Sequence, residues 1–288
     1  MRVSNRPDPM RARPPARHTM NESKQLAAAL LICATAVPGT SAAAESADDL
    51  AKKLSNPVAS MISVPLQYNV DFNLGSEDGT KQTLNIQPVI PASLNEHWNL
   101  ITRVIMPVVA QDDVFGNSGS QFGLGDTTPT FFFSPRQPTA EGWILAAGPV
   151  FLLPTATDDL LGTEKWGAGP SVLALKQTAT GWTYGVLANH IWSIAGDEDR
   201  NEISSTFLQP FLAKQFPGGR TLTINSESTY DWYGESWNVP MNLMYSKVTR
   251  IGNHTMSFAG GARYYFDTPG DGPDWGLRFV VTLLFPEH

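Results

Sequence analysis

From about residue 60 onward, apolar and polar positions alternate in short segments separated by turn-forming residues. The last segment carries the pattern most cleanly. Trp275, Leu277, Phe279, Val281, Leu283 and Phe285 are large and apolar, while Gly276, Arg278 and Thr282 interrupt the positions between them. A repeat of two puts one set on each face of a strand, and a helix cannot use it. The same reading predicts twelve strands, near 62–73, 81–94, 98–109, 122–134, 142–153, 166–176, 182–193, 202–215, 220–231, 237–247, 255–266 and 275–285. Roughly 20 residues per strand and connection, applied to the 244 residues after position 44, gives the same number.

The connections alternate in character. Those at 95–97, 136–141, 177–181, 216–219 and 251–254 are compact, whereas the intervening ones are mostly longer and acidic. Short turns on one rim and longer loops on the other predict an all-β fold, an antiparallel up-and-down transmembrane β-barrel with both termini on the short, periplasmic side. Trp98, Trp143 and Trp182 follow short turns, and Trp166, Trp192, Trp232, Trp237 and Trp275 flank long loops. That placement predicts two aromatic girdles. Pro65, Pro88, Pro107, Pro129, Pro149, Pro170, Pro210 and Pro240 fall inside predicted strands, where each removes a ladder donor. They predict bulges or strand ends near a rim.

The N-terminal region reads differently. Residues 26–37 form an apolar run preceded by Lys24 and followed by the small-residue stretch 40–45, the pattern of a secretory leader cleaved after about Ala43 or Ala44. Met20 makes a better start for such a leader than Met1. Residues 1–44 are therefore read as an extension and signal peptide, 45–59 as a periplasmic linker or short helix with Ser46 as N-cap, and 60–288 as the barrel.

Charge and composition narrow the function classes. Six of the 20 Lys and Arg and two of the 27 Asp and Glu precede residue 45, which leaves the mature chain at −11. Such acidity argues against a nucleic-acid partner. The one cysteine, Cys33, lies in the leader, so the mature chain has no thiol chemistry, disulfide or cysteine-held metal. No cofactor or metal is expected.

If the apolar sets face lipid, the opposite face supplies the lumen. The candidates there are Asp71, Asn85, Gln87, Arg103, Asn225, Glu227, Asn242, Arg263 and Arg278, accompanied by Gln67, Asn69, Asp231 and Asn238. Mixed charges at membrane depth mark a pathway or a structural network. Acidic residues in the long loops, such as Asp158, Asp159, Asp197 and Asp199, fit solvated loop surface, with cation-mediated contact to lipopolysaccharide as the alternative. His190 and Ser193 are three residues apart, which puts them on opposite faces of a strand and argues against serine activation.

The segments I-S-V-P-L-Q-Y-N (62–69), L-N-I-Q-P-V-I-P (84–91), F-G-L-G-D (122–126), G-P-V-F-L-L-P-T-A-T-D (148–158), W-G-A-G-P (166–170), L-A-N-H-I-W-S (187–193), L-Q-P-F-L (208–212) and E-S-T-Y-D-W (227–232) resemble a bacterial outer-membrane β-barrel family of transporters. Its members are often mislabelled neuromedin U and are similar to outer-membrane proteins encoded with phenol meta-pathway degradation genes. The resemblance implies a barrel in the outer membrane and no catalytic residues. The expected function is a channel or transporter for small, hydrophobic or aromatic molecules, not an enzyme. The alternatives are a closed structural or interaction barrel of the envelope and an outer-membrane lipase. The expected partners are outer-membrane lipid and lipopolysaccharide, the barrel-assembly machinery and a small-molecule solute.

Overall fold

The computed structural model describes residues 45–285. The leader and its extension lie outside those residues. Ser46 begins the described fold as an N-cap, accepting a hydrogen bond from the Asp49 amide, and helix α1 runs Ala47–Leu54. Asp48 and Asp49 in its first turn and Lys52 and Lys53 in its last complement the helix dipole.

The strands follow in chain order: β1 (Ile62–Leu74), β2 (Gly79–Ile86), β3 (Val89–Ser93), β4 (Trp98–Asp112), β5 (Ser120–Leu124), β6 (Thr128–Pro135), β7 (Trp143–Leu152) and β8 (Lys165–Gln177). The second half contains β9 (Trp182–Gly196), β10 (Ser204–Phe216), β11 (Arg220–Ser226), β12 (Ser228–Asp231), β13 (Ser236–Asn238), β14 (Pro240–Ile251), β15 (His254–Tyr265) and β16 (Trp275–Phe285). Four of the twelve barrel staves are interrupted, so β2 with β3, β5 with β6, β11 with β12 and β13 with β14 each make one stave. Every neighbour is antiparallel, β1 pairs with β16, and β10 joins β11, so the sheet closes on itself without an edge.

Even positions of β16 point inward and odd ones outward. Arg278 is 3% exposed, whereas Phe279 is 52% exposed beside it. Leu145, Val172, Val186, Leu243 and Phe258 continue the exposed apolar belt around the ring. Trp98 and Trp182 near the short turns and Trp166, Trp192, Trp237 and Trp275 near the long loops are exposed at its two borders, as the girdle reading expects.

The prolines require a correction, because the interruptions lie within the staves and not near a rim. In an antiparallel strand a residue's N–H and C=O point to the same side. The Pro65 carbonyl accepts from the Gln87 amide at the β2/β3 break, Pro107 from Gly125 at the β5/β6 break, and Pro240 from Glu227 at the β11/β12 break. Pro210 lies opposite that last break from the other side, between the Leu208↔Ser228 and Phe211↔Asn225 pairs. Each missing donor therefore meets a neighbour that has stopped pairing. Pro149 and Pro170 sit opposite one another, flanked by gaps in the β6–β7 and β8–β9 ladders. At those gaps Gly148 and Gly169 are required, since a Cβ on either would run into the carbonyl of Phe131 or His190.

Candidate functional site

The barrel interior has two unlike walls. The first, formed by β1, β2, β11 and β14–β16, is polar and centred on Glu227. This residue occupies the break between β11 and β12, with Pro210 and Pro240 on the flanking strands. Its carboxylate continues the inward parity of Thr221, Thr223 and Asn225 into the interior, where Arg278 grips it with Nη1 at 2.8 Å and Nη2 at 2.6 Å, and Arg263 Nη2 adds a bond of 2.8 Å. Arg278 also donates to Asn69 through Nε at 2.7 Å, and Arg263 donates to Asn242 at 3.0 Å. Arg263 lies 3.4 Å from Asp71, which accepts a bond from the Tyr265 hydroxyl at 2.9 Å. Two guanidinium groups, two carboxylates and a phenol thus satisfy one another across strands far apart in the chain, which is what allows charge to stay inside the membrane.

Lys81 lies opposite Asp71 on the same wall, and Asn85 opposite Gln67. Gln87, at the β2/β3 break, accepts a 3.0 Å bond from Arg103 Nη2 on β4. Asn225 and Asn242 are paired in register, and Asn225 Oδ1 and Asn242 Nδ2 find no partner among the described residues.

The second wall is apolar. Ile101, Phe132, Ala146, Leu173, Leu175 and Leu187 point inward from β4 and β6–β9 and pack together, with Phe207 and Phe211 of β10 against them. The inward face of these staves is as hydrophobic as a globular core. Its signal in the sequence is that segments such as Ile144–Leu145 and Val172–Leu175 are apolar on both faces, the mark of a strand buried on both sides.

The segment before β1 packs against these walls. Val58 joins the apolar cluster, while Leu50 and Ala51 of α1 pack with Met61, Val248 and Leu284. Asp48 accepts a bond from the Gly219 amide, Gln177 donates to the Lys52 carbonyl, and Gln215 to the Ser55 hydroxyl. Between this segment and the inward side chains of the staves, chiefly those of β1, β10, β11 and β14–β16, remains a cavity of about 310 Å³. Its lining mixes the polar groups of Gln67, Gln87, Arg103, Asn225, Glu227 and Arg278 with the apolar side chains of Phe211, Met244 and Val280. Five of the nine residues singled out above as lumen candidates, Gln87, Arg103, Asn225, Glu227 and Arg278, border this space; Asp71, Asn242 and Arg263 stand behind them in the network, and Asn85 faces inward one register step from Gln87.

At the opposite end, Asp126 takes bonds from the Ala156 and Thr163 amides and the Thr163 hydroxyl, and so anchors the 153–164 loop. Buried Lys165 meets Glu202 at 2.7 Å. The same carboxylate accepts from Ser193, and its pKa is held below the ordinary carboxylate range, chiefly by the hydrogen bond from Lys165. His190 points away from Ser193 and bonds Thr206 on the outer face at 2.7 Å. Among the described residues, no three histidine or carboxylate side chains converge as metal ligands.

Among solved structures, the chain is similar to the COG4313 outer membrane channel from Pseudomonas putida F1, with a TM-score of 0.62 over 78% of this chain and 96% of that one, at 16% identity. With the closed sheet, apolar belt and girdles in place, that decides the class. The chain folds as a closed transmembrane-type β-barrel. Outer membrane phospholipase A from Escherichia coli is a looser match to this barrel, with a TM-score of 0.45, 12% identity and coverage of 84% of this chain and 99% of that one. No protein-family model and no curated protein sequence matches the chain.

Proposed function

We propose that this barrel is a channel or uptake route for small amphipathic molecules. The observation that carries this reading is the 310 Å³ cavity, whose lining joins the charged groups of Arg103, Glu227 and Arg278 to the apolar side chains of Phe211, Met244 and Val280. Its size falls at the lower end of the ~300–1,000 Å³ usual for small-molecule sites. A wholly polar lumen suits hydrated ions, and a wholly apolar one suits packing. A lining that offers both kinds of group suits a solute with polar and apolar parts. The family resemblance noted in the sequence points the same way for hydrophobic or aromatic solutes. On this reading the surrounding partners are membrane lipid, lipopolysaccharide at the long-loop rim and the assembly machinery.

The competing reading is a closed barrel that serves envelope structure. It is favoured by the packing of α1 and Val58 against the interior walls and by the Asp126-anchored loop at the other end. Planar-bilayer recording on the full chain separates the two. Channel function predicts reproducible openings that Thr223→Trp, which fills the cavity from β11, reduces severalfold. Silence from protein that shows heat-modifiable gel mobility would support the closed barrel.

A further inference from the structure

We infer that Arg103 is the docking point for a carboxylate whose apolar remainder lies along Phe211, Met244 and Val280. This deepens the channel reading, on which it rests for the solute's access to the cavity.

The charges of the mid-barrel interior do not balance. Among the described residues, Arg103, Arg263, Arg278 and Lys81 face two carboxylates, Asp71 and Glu227. Glu227 has both oxygens committed, one to Arg278 and the other to Arg278 and Arg263 together. Asp71 is engaged by Arg263 and Tyr265. Arg103 has no ion pair among the described residues, and its one side-chain hydrogen bond goes to a neutral amide, Gln87 Oε1. A guanidinium carries five N–H donors in a planar fork that matches a carboxylate in bidentate geometry. Arg103 spends one of them.

Position adds a second constraint. Arg103 stands on β4, two residues from Ile101, where the polar wall gives way to the apolar one. A molecule bound there meets cationic and amide groups, Gln67 and Asn225 included, and the hydrocarbon of Phe211, Met244 and Val280 in the same cavity. An amine would be repelled by the uncompensated cations, and an alcohol would leave the fork with half an acceptor. A monocarboxylate with an aryl or alkyl tail satisfies both ends.

Calorimetry on the full chain in nonionic micelles tests this with 4-phenylbutyrate, 4-phenylbutanol and 4-phenylbutylamine as probes. Wild-type protein is expected to prefer the acid over the alcohol by about tenfold or more, the difference a charge-assisted pair makes over a neutral one. Arg103→Gln should remove that preference while leaving alcohol binding within about twofold, and Arg103→Lys should restore part of it. If the acid and the alcohol bind the wild type alike, or if Arg103→Gln leaves the acid's affinity unchanged, the assignment is overturned. Should Arg103→Gln fail to yield a heat-modifiable barrel, the wild-type comparison and Arg103→Lys decide. Acid binding in a barrel that never conducts would sink the channel reading and keep this one. Conducting barrels without acid preference would do the reverse.

Discussion

The two interior walls of this barrel solve the same problem with opposite chemistry. Both must fill space inside a cylinder whose outer face is already hydrocarbon. The wall around Leu175 does so by dense packing, which makes its strands apolar on both sides. The wall around Glu227 does so with a hydrogen-bonded ionic lattice, in which each charge is tolerable only because the others are present. Packing degrades gradually when one member is lost, while a lattice of charges fails abruptly. The cavity lies against the ionic wall, under the segment that precedes β1, with Phe211 of β10 at its border.

The largest expected effect is therefore on the ionic side. Glu227→Ala leaves two buried guanidinium groups without their shared acceptor and should cost about 3–5 kcal/mol, as when one member of a buried pair is removed. Urea titration of the vesicle-inserted protein, read by loss of heat-modifiable mobility, measures this; an unchanged midpoint would mean that the lattice is ornamental. Leu175→Ala on the other wall should cost about 2–4 kcal/mol through lost burial and residual void. The double variant sharpens the contrast. If the walls are independent, the two losses add to within about 0.5 kcal/mol, and a larger discrepancy would show that the interior acts as one unit.

The smallest effect concerns the acidic rim. Because the Glu202 carboxyl is held below its ordinary value of 4.5, its contribution is complete above that pH and is lost as pH falls toward the lowered folded value. Pepsin cleavage in the 197–203 loop should accordingly accelerate as pH drops from about 5 to about 3, and Glu202→Gln should flatten the dependence. A profile that is identical in the two proteins would remove the Lys165 contact from any role in ordering that loop.

Much of the architecture was legible residue by residue. The alternation in Trp275–Phe285 announced which side of β16 meets lipid, the turn spacing announced twelve staves, and Ser46 with Asp48 and Asp49 announced a helix start. The identity of inward polar residues such as Arg103 and Arg278 came from the same parity. The apolar wall was missed because Val172–Leu175 carries no polar position to mark an inner face. The prolines were read as rim features because a missing donor is visible locally while the break it faces lies on another strand.

What the sequence by itself determined is the parity of each strand, since alternation is a property of neighbouring residues and needs no partner. What only the tertiary structure decided is who meets whom across the ring. Glu227 reaches Arg263 from 36 residues away and Arg278 from 51, on strands that are far apart in the chain. No local pattern encodes that meeting; closure of the sheet does.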